Sequence, residues 1–313
     1  MKVRITHIED ACHNIKLFEL RHPEQAALPT FAAGAHIDVT LQNGLTRQYS
    51  LCNSPTDSHR YLIGVLKDAA SRGGSQYMHD SLHLDAELTI SSPRNLFATV
   101  IGHHQAVLIA GGIGITPLMA MGEYFLAQNM PFSLVYFAKS PEHIAFKNRL
   151  SQPDFADKVT YVFGANKSPT TFSDYLGPPQ NDKHVYTCGP LGFMQALTQN
   201  ALNLGWSETN LHQELFQSEQ NNEDNQPFEV VIASTQEVIS VSADTSVAQA
   251  LEDKGYFIPV SCEQGICGTC LTHIVSGTPE HRDHFLTDEE KSSNALFTPC
   301  CSRAQSPRLV LDL

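Results

Sequence analysis

Four cysteines near the C-terminal end have the type and spacing to hold an iron–sulfur cluster. Cys262, Cys267 and Cys270 form a C-x4-C-x2-C motif, and 29 residues separate Cys270 from Cys300. This is one of the ligand spacings of [2Fe–2S] clusters, in which soft thiolates suit iron and its bridging sulfides. A structural zinc site, which more often shows C-x2-C pairs, is the main alternative.

The residues between and after these cysteines refine that interpretation. Gly265 and Gly268 suit a loop that wraps around a cluster, because glycine allows positive φ and leaves room for N–H groups to point at sulfur. Cys301 directly follows Cys300, and only one of the two can be the fourth ligand. The spacing alone leaves that choice open.

Length, charge and termini limit the class of protein. The chain has 313 residues, enough for two or three domains, and its formal net charge is −13. The negative charge argues against nucleic acid or an anionic membrane as a partner. There is no apolar run long enough to span a membrane, and the N-terminus lacks the apolar core of a signal peptide. We therefore expect a cytoplasmic protein, and disulfides are rare in that compartment. We also expect a monomer.

The first hundred residues read as an antiparallel β-domain. Short alternating segments predict strands at residues 3–8, 15–20, 36–41, 61–66 and 87–90. Turn signals such as Asn43-Gly44 and Ser54-Pro55 lie between them. Strands of this length and spacing indicate a closed barrel or a sandwich.

The next segment alternates between strands and helices, which predicts a parallel sheet with helices on both faces. The predicted strands are 105–110, 132–137, 159–162 and 184–188, and the predicted helices are 118–128, 141–150 and 191–202. The first strand leads into a glycine turn, residues 111–117, with Thr116 as the predicted N-cap of the helix. A strand, a glycine turn and a helix N-terminus form a layout that binds pyrophosphate, although the G-x-G-x-x-G fingerprint is absent.

The end of the chain forms a separate α+β pattern after a polar, acidic linker at residues 217–227. A hairpin is predicted at 228–233 and 238–241, followed by a helix that Asp244-Thr245-Ser246 caps and that ends at Glu252. Strands are predicted at 271–275 and 309–313, with a capping box at Thr287 between them. The order resembles a ferredoxin β-grasp domain.

Two stretches of the first domain resemble the flavin-binding stretches of the ferredoxin reductase-like superfamily. Each alone fits an ordinary strand or loop, but their order ahead of the glycine turn favours a flavin. A tyrosine and strand backbone offer a flat wall to the ring, and guanidinium groups, hydroxyls and free N–H groups suit its phosphate. The residues concerned are Arg47, Gln48, Tyr49 and Ser50, then Val65, Leu66, Lys67, Arg72, Gly73, Gly74 and Ser75.

The middle domain resembles the pyridine-nucleotide domain of the same superfamily, through G-G-I-G-I-T-P followed by T-C-G-P. The resemblance implies two sets of nucleotide contacts, Gly111, Gly112, Gly114, Ile115 and Thr116 on the ribose and pyrophosphate side, and Cys188, Gly189 and Pro190 near the nicotinamide. In relatives a terminal aromatic packs on the flavin, so Phe216 either does so here or is a plain core residue. Lys139 stands where the family more often has arginine, which weakens the expected contact with the adenosine end.

The whole chain resembles the phthalate dioxygenase reductase family, and within it the vanillate O-demethylase reductase subunits. The implied domains are a flavin barrel at 1–100, an NAD-binding domain at 101–216, the linker at 217–227 and a plant-type ferredoxin domain at 228–313. Relatives with this order use FMN, and residues 60–100 contain no extra segment that would hold the adenylate of FAD. The family tail selects Cys300 as the fourth ligand and leaves Cys301 a free thiol.

The resemblance also implies the function. NADH would reduce FMN, which would pass single electrons through the [2Fe–2S] cluster to a separate Rieske-type oxygenase acting on a small aromatic or related acid, with no side chain needed as a catalytic acid or base. One alternative keeps this electron path but serves a haem monooxygenase or a soluble carrier. Another is a zinc-bound interaction module. Residues 228–313 contain 12 acidic and 5 basic side chains, which indicates either a docking face for a basic partner or a charge for solubility.

Overall fold

The computed structural model describes residues 1–69, 71, 73–100, 102, 105–164, 172–218 and 225–313. The chain divides into two compact units, Met1–Phe216 and Gln217–Leu313. Within the described ranges, no helix has both the length and the apolar character needed to cross a bilayer.

The first unit begins with an antiparallel β-barrel, as the alternating pattern predicts. Its strands are β1 (Lys2–Cys12), β2 (Ile15–Arg21), β3 (His36–Thr40), β4 (Thr46–Ser50), β5 (Tyr61–Leu66) and β6 (Glu87–Ile90), with helix α1 (Gly74–Asp80) before β6. They pair in the order β4-β3-β6-β1-β2-β5. A bridge between Leu51 and Ile63 joins the two ends of this order and closes the barrel. Of the two architectures that the pattern left open, the barrel is therefore the one observed.

A parallel five-stranded sheet follows in the same unit. Its strands are β7 (Gln105–Gly111), β8 (Phe132–Ala138), β9 (Val159–Phe163), β10 (Lys183–Cys188) and β11 (Leu211–Glu214), in the order β11-β10-β7-β8-β9. The helices are α2 (Ile115–Ala127), α3 (Lys147–Leu150), α4 (Pro153–Ala156), α5 (Ser173–Leu176) and α6 (Leu191–Asn203). Alternate strand residues face opposite sides: Leu108 packs in the core that contains α2, and Val107 packs in the core that contains α5 and α6.

Two local predictions for this domain are wrong. Helix α2 begins at Ile115, after a 3-10 turn at Gly112–Gly114, so Thr116 lies inside the helix and is not its N-cap. Its hydroxyl donates instead to the carbonyl oxygen of Ile113 at 2.9 Å. Pro117 is tolerated there because an N–H in the first turn has no intrahelical partner.

The predicted helix at residues 141–150 is also broken. It consists of a 3-10 turn at Pro141–His143 and the short helix α3, separated by Ile144, Ala145 and Phe146, which are buried in the core. Phe146 has a left-handed backbone with φ 58°. Burial of these three apolar side chains overrides the local helix preference.

The second unit is an α+β domain. Its strands are β12 (Phe228–Ile232), β13 (Val238–Val241), β14 (Thr272–Ser276), β15 (Pro279–Glu280), β16 (Leu296–Phe297), β17 (Arg303–Ala304) and β18 (Arg308–Leu311), and its helices are α7 (Val247–Glu252) and α8 (Asp288–Ser293). The main sheet has the order β13-β12-β18-β14-β16. Ser246 caps α7, and Thr287 forms a capping box with Glu290 at α8, so both predicted caps are confirmed.

Candidate functional site

Two strand ends of the parallel sheet meet at the predicted nucleotide-binding residues. Strands β7 and β10 are parallel neighbours, with Cys188 beside Ala110. A Cβ placed on Gly114 would lie 2.1 Å from the Cys188 carbonyl oxygen, and one on Gly189 would lie 3.0 Å from the Gly111 Cα. The glycine turn and the Cys188-Gly189 backbone are therefore in direct contact, which no larger residue at position 114 would allow.

The N-terminal turn of α2 also touches the barrel. Thr116 is buried, and a Cβ on Gly64 of β5 would lie 2.8 Å from the Thr116 methyl carbon. Residues of β2, including Ile15 and Leu17, share a hydrophobic core with α2. This continuous packing fixes the barrel wall and the glycine turn relative to each other within the first unit.

Strand β4 presents the first predicted flavin-binding stretch. The Arg47 side chain lies across Gly74, since a Cβ there would be 2.6 Å from Arg47 Cγ and 2.9 Å from Nε. Gln48 Nε2 donates to Asp38 Oδ1 at 3.0 Å on the neighbouring strand β3. The ring of Tyr49 packs against the barrel core, and burial raises the pKa of its hydroxyl. A guanidinium beside a glycine cradle, next to a flat aromatic wall, fits a flavin phosphate and ring.

The second predicted stretch is held by polar contacts within the barrel. Lys67 Nζ donates to Asp80 Oδ1 at 2.6 Å, and the Ser75 hydroxyl accepts the Asp68 N–H at 3.2 Å. Val65 is buried, whereas Leu66 lies at the surface. Gly73, with φ 90°, precedes α1, and its left-handed backbone requires glycine. Arg72 lies outside the described residues.

A cluster that sequence reasoning missed lies where β4, β10 and β11 come together. The Ser50 hydroxyl donates to Glu214 Oε2 at 3.3 Å, and Glu214 is the register partner of Cys188. Glu214 is half-buried, and desolvation of its carboxyl raises the pKa to about 8. Burial and the nearby Glu214 carboxylate hold the pKa of the Cys188 thiol well above its usual range. Ser50 and Cys188 were predicted site residues, but Glu214 was not assigned a role.

The raised pKa of Glu214 predicts a pH-dependent stability. Because the folded pKa of about 8 lies above the ordinary 4.5, stability is lost as the pH rises from 4.5 to about 8. Glu214→Gln cannot titrate, so its free energy of unfolding should rise relative to the wild type across this range, by at most ~1.4 kcal/mol per pH unit. Urea unfolding at several pH values measures this. The exposed Glu208→Gln is the control, and parallel curves for Glu214→Gln and wild type would contradict the assignment.

Phe216 follows β11 by two residues and is half-buried. It lies two residues after Glu214 in the sequence, and both alternatives given above stay open. Its packing on a flavin stays a prediction.

In the second unit the structure brings the four predicted cysteine ligands together. Cys262 is hydrogen-bonded to Cys267 and Cys300, and Cys300 is also hydrogen-bonded to Cys270. All four side chains are buried. Backbone N–H groups point at the sulfurs, with Gln264 N donating to Cys262 Sγ at 3.3 Å and Thr269 N donating to Cys267 Sγ at 3.4 Å. Such N–H···S bonds stabilise thiolate ligands.

The loop that carries three of these cysteines depends on its two glycines. Gly265 and Gly268 have φ of 70° and 68°, in the region that favours glycine. A Cβ on Gly265 would lie 2.4 Å from Cys301 Sγ, and one on Gly268 would lie 2.3 Å from the Phe285 ring. Cys301 thus packs beneath the loop, where its sulfur is 3.2 Å from Thr298 Oγ1.

The thiols of this group shift one another's pKa values. Hydrogen bonds with Cys267 and Cys300 lower the pKa of Cys262, while the pKa values of Cys267 and Cys300 are raised. Hydrogen bonds with Cys300, Thr298 and Ser302 also lower the pKa of Cys301. Ionising all four predicted ligands together would require positive charge among the sulfurs. The sulfur contacts link Cys267 to Cys262, Cys262 to Cys300 and Cys300 to Cys270, and the C-x4-C-x2-C spacing favours iron over zinc.

Comparisons with known proteins agree with this assignment. A family model for the 2Fe-2S iron-sulfur cluster binding domain matches residues 230–305. The chain is 46% identical over 315 residues to a vanillate O-demethylase oxidoreductase of Acinetobacter baylyi, covering 100% of this chain and 99% of that protein. It is 49% identical over 309 residues to the enzyme of the same name from Pseudomonas putida, covering 97% of each.

The fold has a solved counterpart. Phthalate dioxygenase reductase, described as a modular structure for electron transfer from pyridine nucleotides to [2Fe-2S], superposes with a TM-score of 0.82 at 34% identity, covering 100% of this chain and 98% of that one. Identity above 30% over nearly all of both compared chains confirms the resemblance inferred from the motifs. The chain is therefore an oxidoreductase that belongs to the family of oxygenase reductase components containing vanillate O-demethylase oxidoreductases and phthalate dioxygenase reductase.

Proposed function

We propose that this protein takes electron pairs from NADH and delivers single electrons, through FMN and a [2Fe–2S] cluster, to a Rieske-type oxygenase that demethylates vanillate or a similar aromatic acid. The observation that carries the proposal is the group of four buried cysteine sulfurs in a chain whose first unit brings a barrel strand against two ends of a parallel sheet. The names of the relatives support the substrate class.

Four cysteines would hold the cluster, and the contacts suggest how. Cys262 contacts both Cys267 and Cys300, and Cys300 also contacts Cys270, so the four sulfurs would hold the two irons among them. Cys301 would not be a ligand, because Thr298 and Ser302 hold its sulfur under Gly265. The loop N–H groups would stabilise the thiolates and help to set the potential.

The first unit would bind flavin and nucleotide with residues of both its parts. Arg47 and the Gly74 cradle would take the FMN phosphate, with Arg72 and Ser75 as predicted neighbours, and Tyr49 would support the ring. The Gly111–Thr116 turn and the Cys188-Gly189-Pro190 backbone would bind NADH. When bound, the flavin supplies the means to accept two electrons and release them singly.

The protein's own part in this step is to position the bound cofactors, to exclude water from them and to hold a proton. The contact between Gly114 and Cys188 fixes the two strand ends together, and this fixed arrangement would position a nucleotide bound there. Glu214, with its raised pKa of about 8, holds a proton at Oε near neutral pH, and Ser50 orients that carboxyl. This assigns a proton-holding group where the sequence suggested none was needed.

Reconstitution with purified acceptors tests the proposal. The reductase, NADH, dioxygen and the terminal oxygenase component of a vanillate O-demethylase should together convert vanillate, with formaldehyde formed in step with the NADH consumed. Omitting either protein should stop the reaction. Reduction of a cytochrome P450 but not of the oxygenase would instead favour the haem monooxygenase alternative.

A further inference from the structure

One aromatic side chain of the second unit is almost fully exposed. Phe257 has 82% of its surface accessible, more than any other large hydrophobic residue in the part of the chain that the structure describes. Single apolar residues at a surface are common and need no explanation by themselves. The surroundings of Phe257 therefore decide whether its exposure indicates a contact site.

The loop around Phe257 is anchored, so its exposure does not come from a loose segment. Tyr256, Ile258 and Val260 pack against the core of the second unit. The Tyr256 hydroxyl donates to Glu237 Oε2 at 2.9 Å, and its backbone N–H donates to the Leu251 carbonyl at 3.0 Å. With the flanking side chains directed inward, Phe257 is held outward as a pre-organised contact.

The loop also leads directly to the cysteine cluster. Phe257 precedes Cys262 by five residues, so their Cα atoms lie at most about 18 Å apart even in a fully extended chain. A partner seated on Phe257 would therefore lie close to the cluster loop. That is where an electron acceptor must dock.

Acidic residues lie at the end of the helix before the Phe257 loop or are hydrogen-bonded to the loop. Glu237 accepts a hydrogen bond from the Tyr256 hydroxyl. Glu252 is the last residue of α7 and Asp253 is its C-cap, and the basic residue Lys254 follows them. Glu252 and Asp253 are exposed. An apolar centre with a charged rim is the usual composition of a specific protein interface, and this rim fits a partner that carries lysine or arginine.

We propose that Phe257 and its acidic rim form the docking surface for the terminal oxygenase, and that Phe257 enters an apolar pocket rimmed by basic residues. The inference rests on the function proposed above and adds the surface that selects the acceptor. A centrally placed aromatic residue is the type of side chain that dominates interface energetics.

The test is Phe257→Ser, assayed by NADH-driven reduction of a vanillate O-demethylase oxygenase component. KM for the oxygenase should rise by about tenfold or more, while Phe257→Leu should retain most of the affinity. Ferricyanide reduction and the rate at which NADH bleaches the cluster should stay unchanged. Val275→Ser, which alters another exposed residue of the second unit, is the matched control.

The acidic rim has its own test. The double variant Glu252→Gln with Asp253→Asn should raise the KM for the oxygenase and flatten its dependence on ionic strength, whereas Glu289→Gln on α8 should not. An unchanged KM for Phe257→Ser would overturn the proposal. So would slower cluster bleaching, which would assign Phe257 to a contact within this chain. A wild-type dimer in sedimentation that Phe257→Ser dissociates would also overturn it, because Phe257 would then contact a second copy. If wild-type protein fails to reduce the oxygenase at all, the proposed function fails instead.

Discussion

Cys300→Ser is expected to lose the iron–sulfur cluster, whereas Cys301→Ser is expected to keep it. The Cys300 sulfur contacts both Cys262 and Cys270, so it completes the group of four. The Cys301 sulfur contacts Cys300 but otherwise lies against Gly265 and Thr298, beneath the loop. Serine oxygen is a poor substitute for soft thiolate on iron, so iron and acid-labile sulfide per chain should fall at least about tenfold in Cys300→Ser.

Iron and sulfide analysis, with the visible spectrum, measures this difference after identical reconstitution of both variants. Cys300→Ser should still reduce ferricyanide with NADH, because the residues proposed to bind flavin and nucleotide belong to the other compact unit. That activity shows that the variant is folded. A cluster that survives in Cys300→Ser but is lost in Cys301→Ser would exchange the two assignments.

Among substitutions in the first unit, Gly114→Ala should cause the largest loss of activity with NADH. The added methyl carbon would lie 2.1 Å from the Cys188 carbonyl oxygen and 2.6 Å from the Gly189 nitrogen, and both are backbone atoms that cannot rotate away. The two strand ends would have to separate, and a displacement of about 1 Å can cost roughly 100-fold in rate. We expect a fall of this size in kcat/KM for NADH with ferricyanide as acceptor, and a loss of about 1–3 kcal/mol of stability.

Gly192→Ala is the matched control. Gly192 lies in α6, a short distance along the chain from Cys188, and nothing lies within 4 Å of the position of its Cβ. Alanine there should leave the rate unchanged and stabilise the helix by about 0.5–1 kcal/mol. Equal effects from the two substitutions would show that the contact at Gly114 does not position the nucleotide site.

Features encoded by neighbouring residues could be predicted from the sequence. The cysteine spacing, the glycines at positions 265 and 268 and the cap at Thr287 each depend on a few adjacent positions, and the structure has all of them in the expected local form. The strands of the barrel and of the parallel sheet follow from alternation and burial. These patterns carry their own geometry, because side-chain direction repeats with a fixed period in each element.

Features that depend on distant contacts could not be predicted. Glu214 becomes part of the site only because β11 pairs with β10 and Ser50 approaches from the barrel, 164 positions earlier in the chain. Thr116 looked like an N-cap, but the packing of its methyl group on Gly64 accompanies a helix that begins earlier. The sequence does show a carboxylate at the end of a predicted domain, Glu214. Only the register of β10 and β11 reveals that this carboxylate lies beside Cys188.

An anaerobic titration of the purified protein with NADH, with absorbance followed and the acid-released flavin identified, tests whether electrons pass from NADH through the flavin to the cluster. We expect FMN, cluster bands that lose absorbance as NADH is added, and two equivalents of a one-electron acceptor reduced per NADH. A colourless protein that contains zinc, or a flavin that is reduced while an intact cluster stays oxidised, would contradict this electron path.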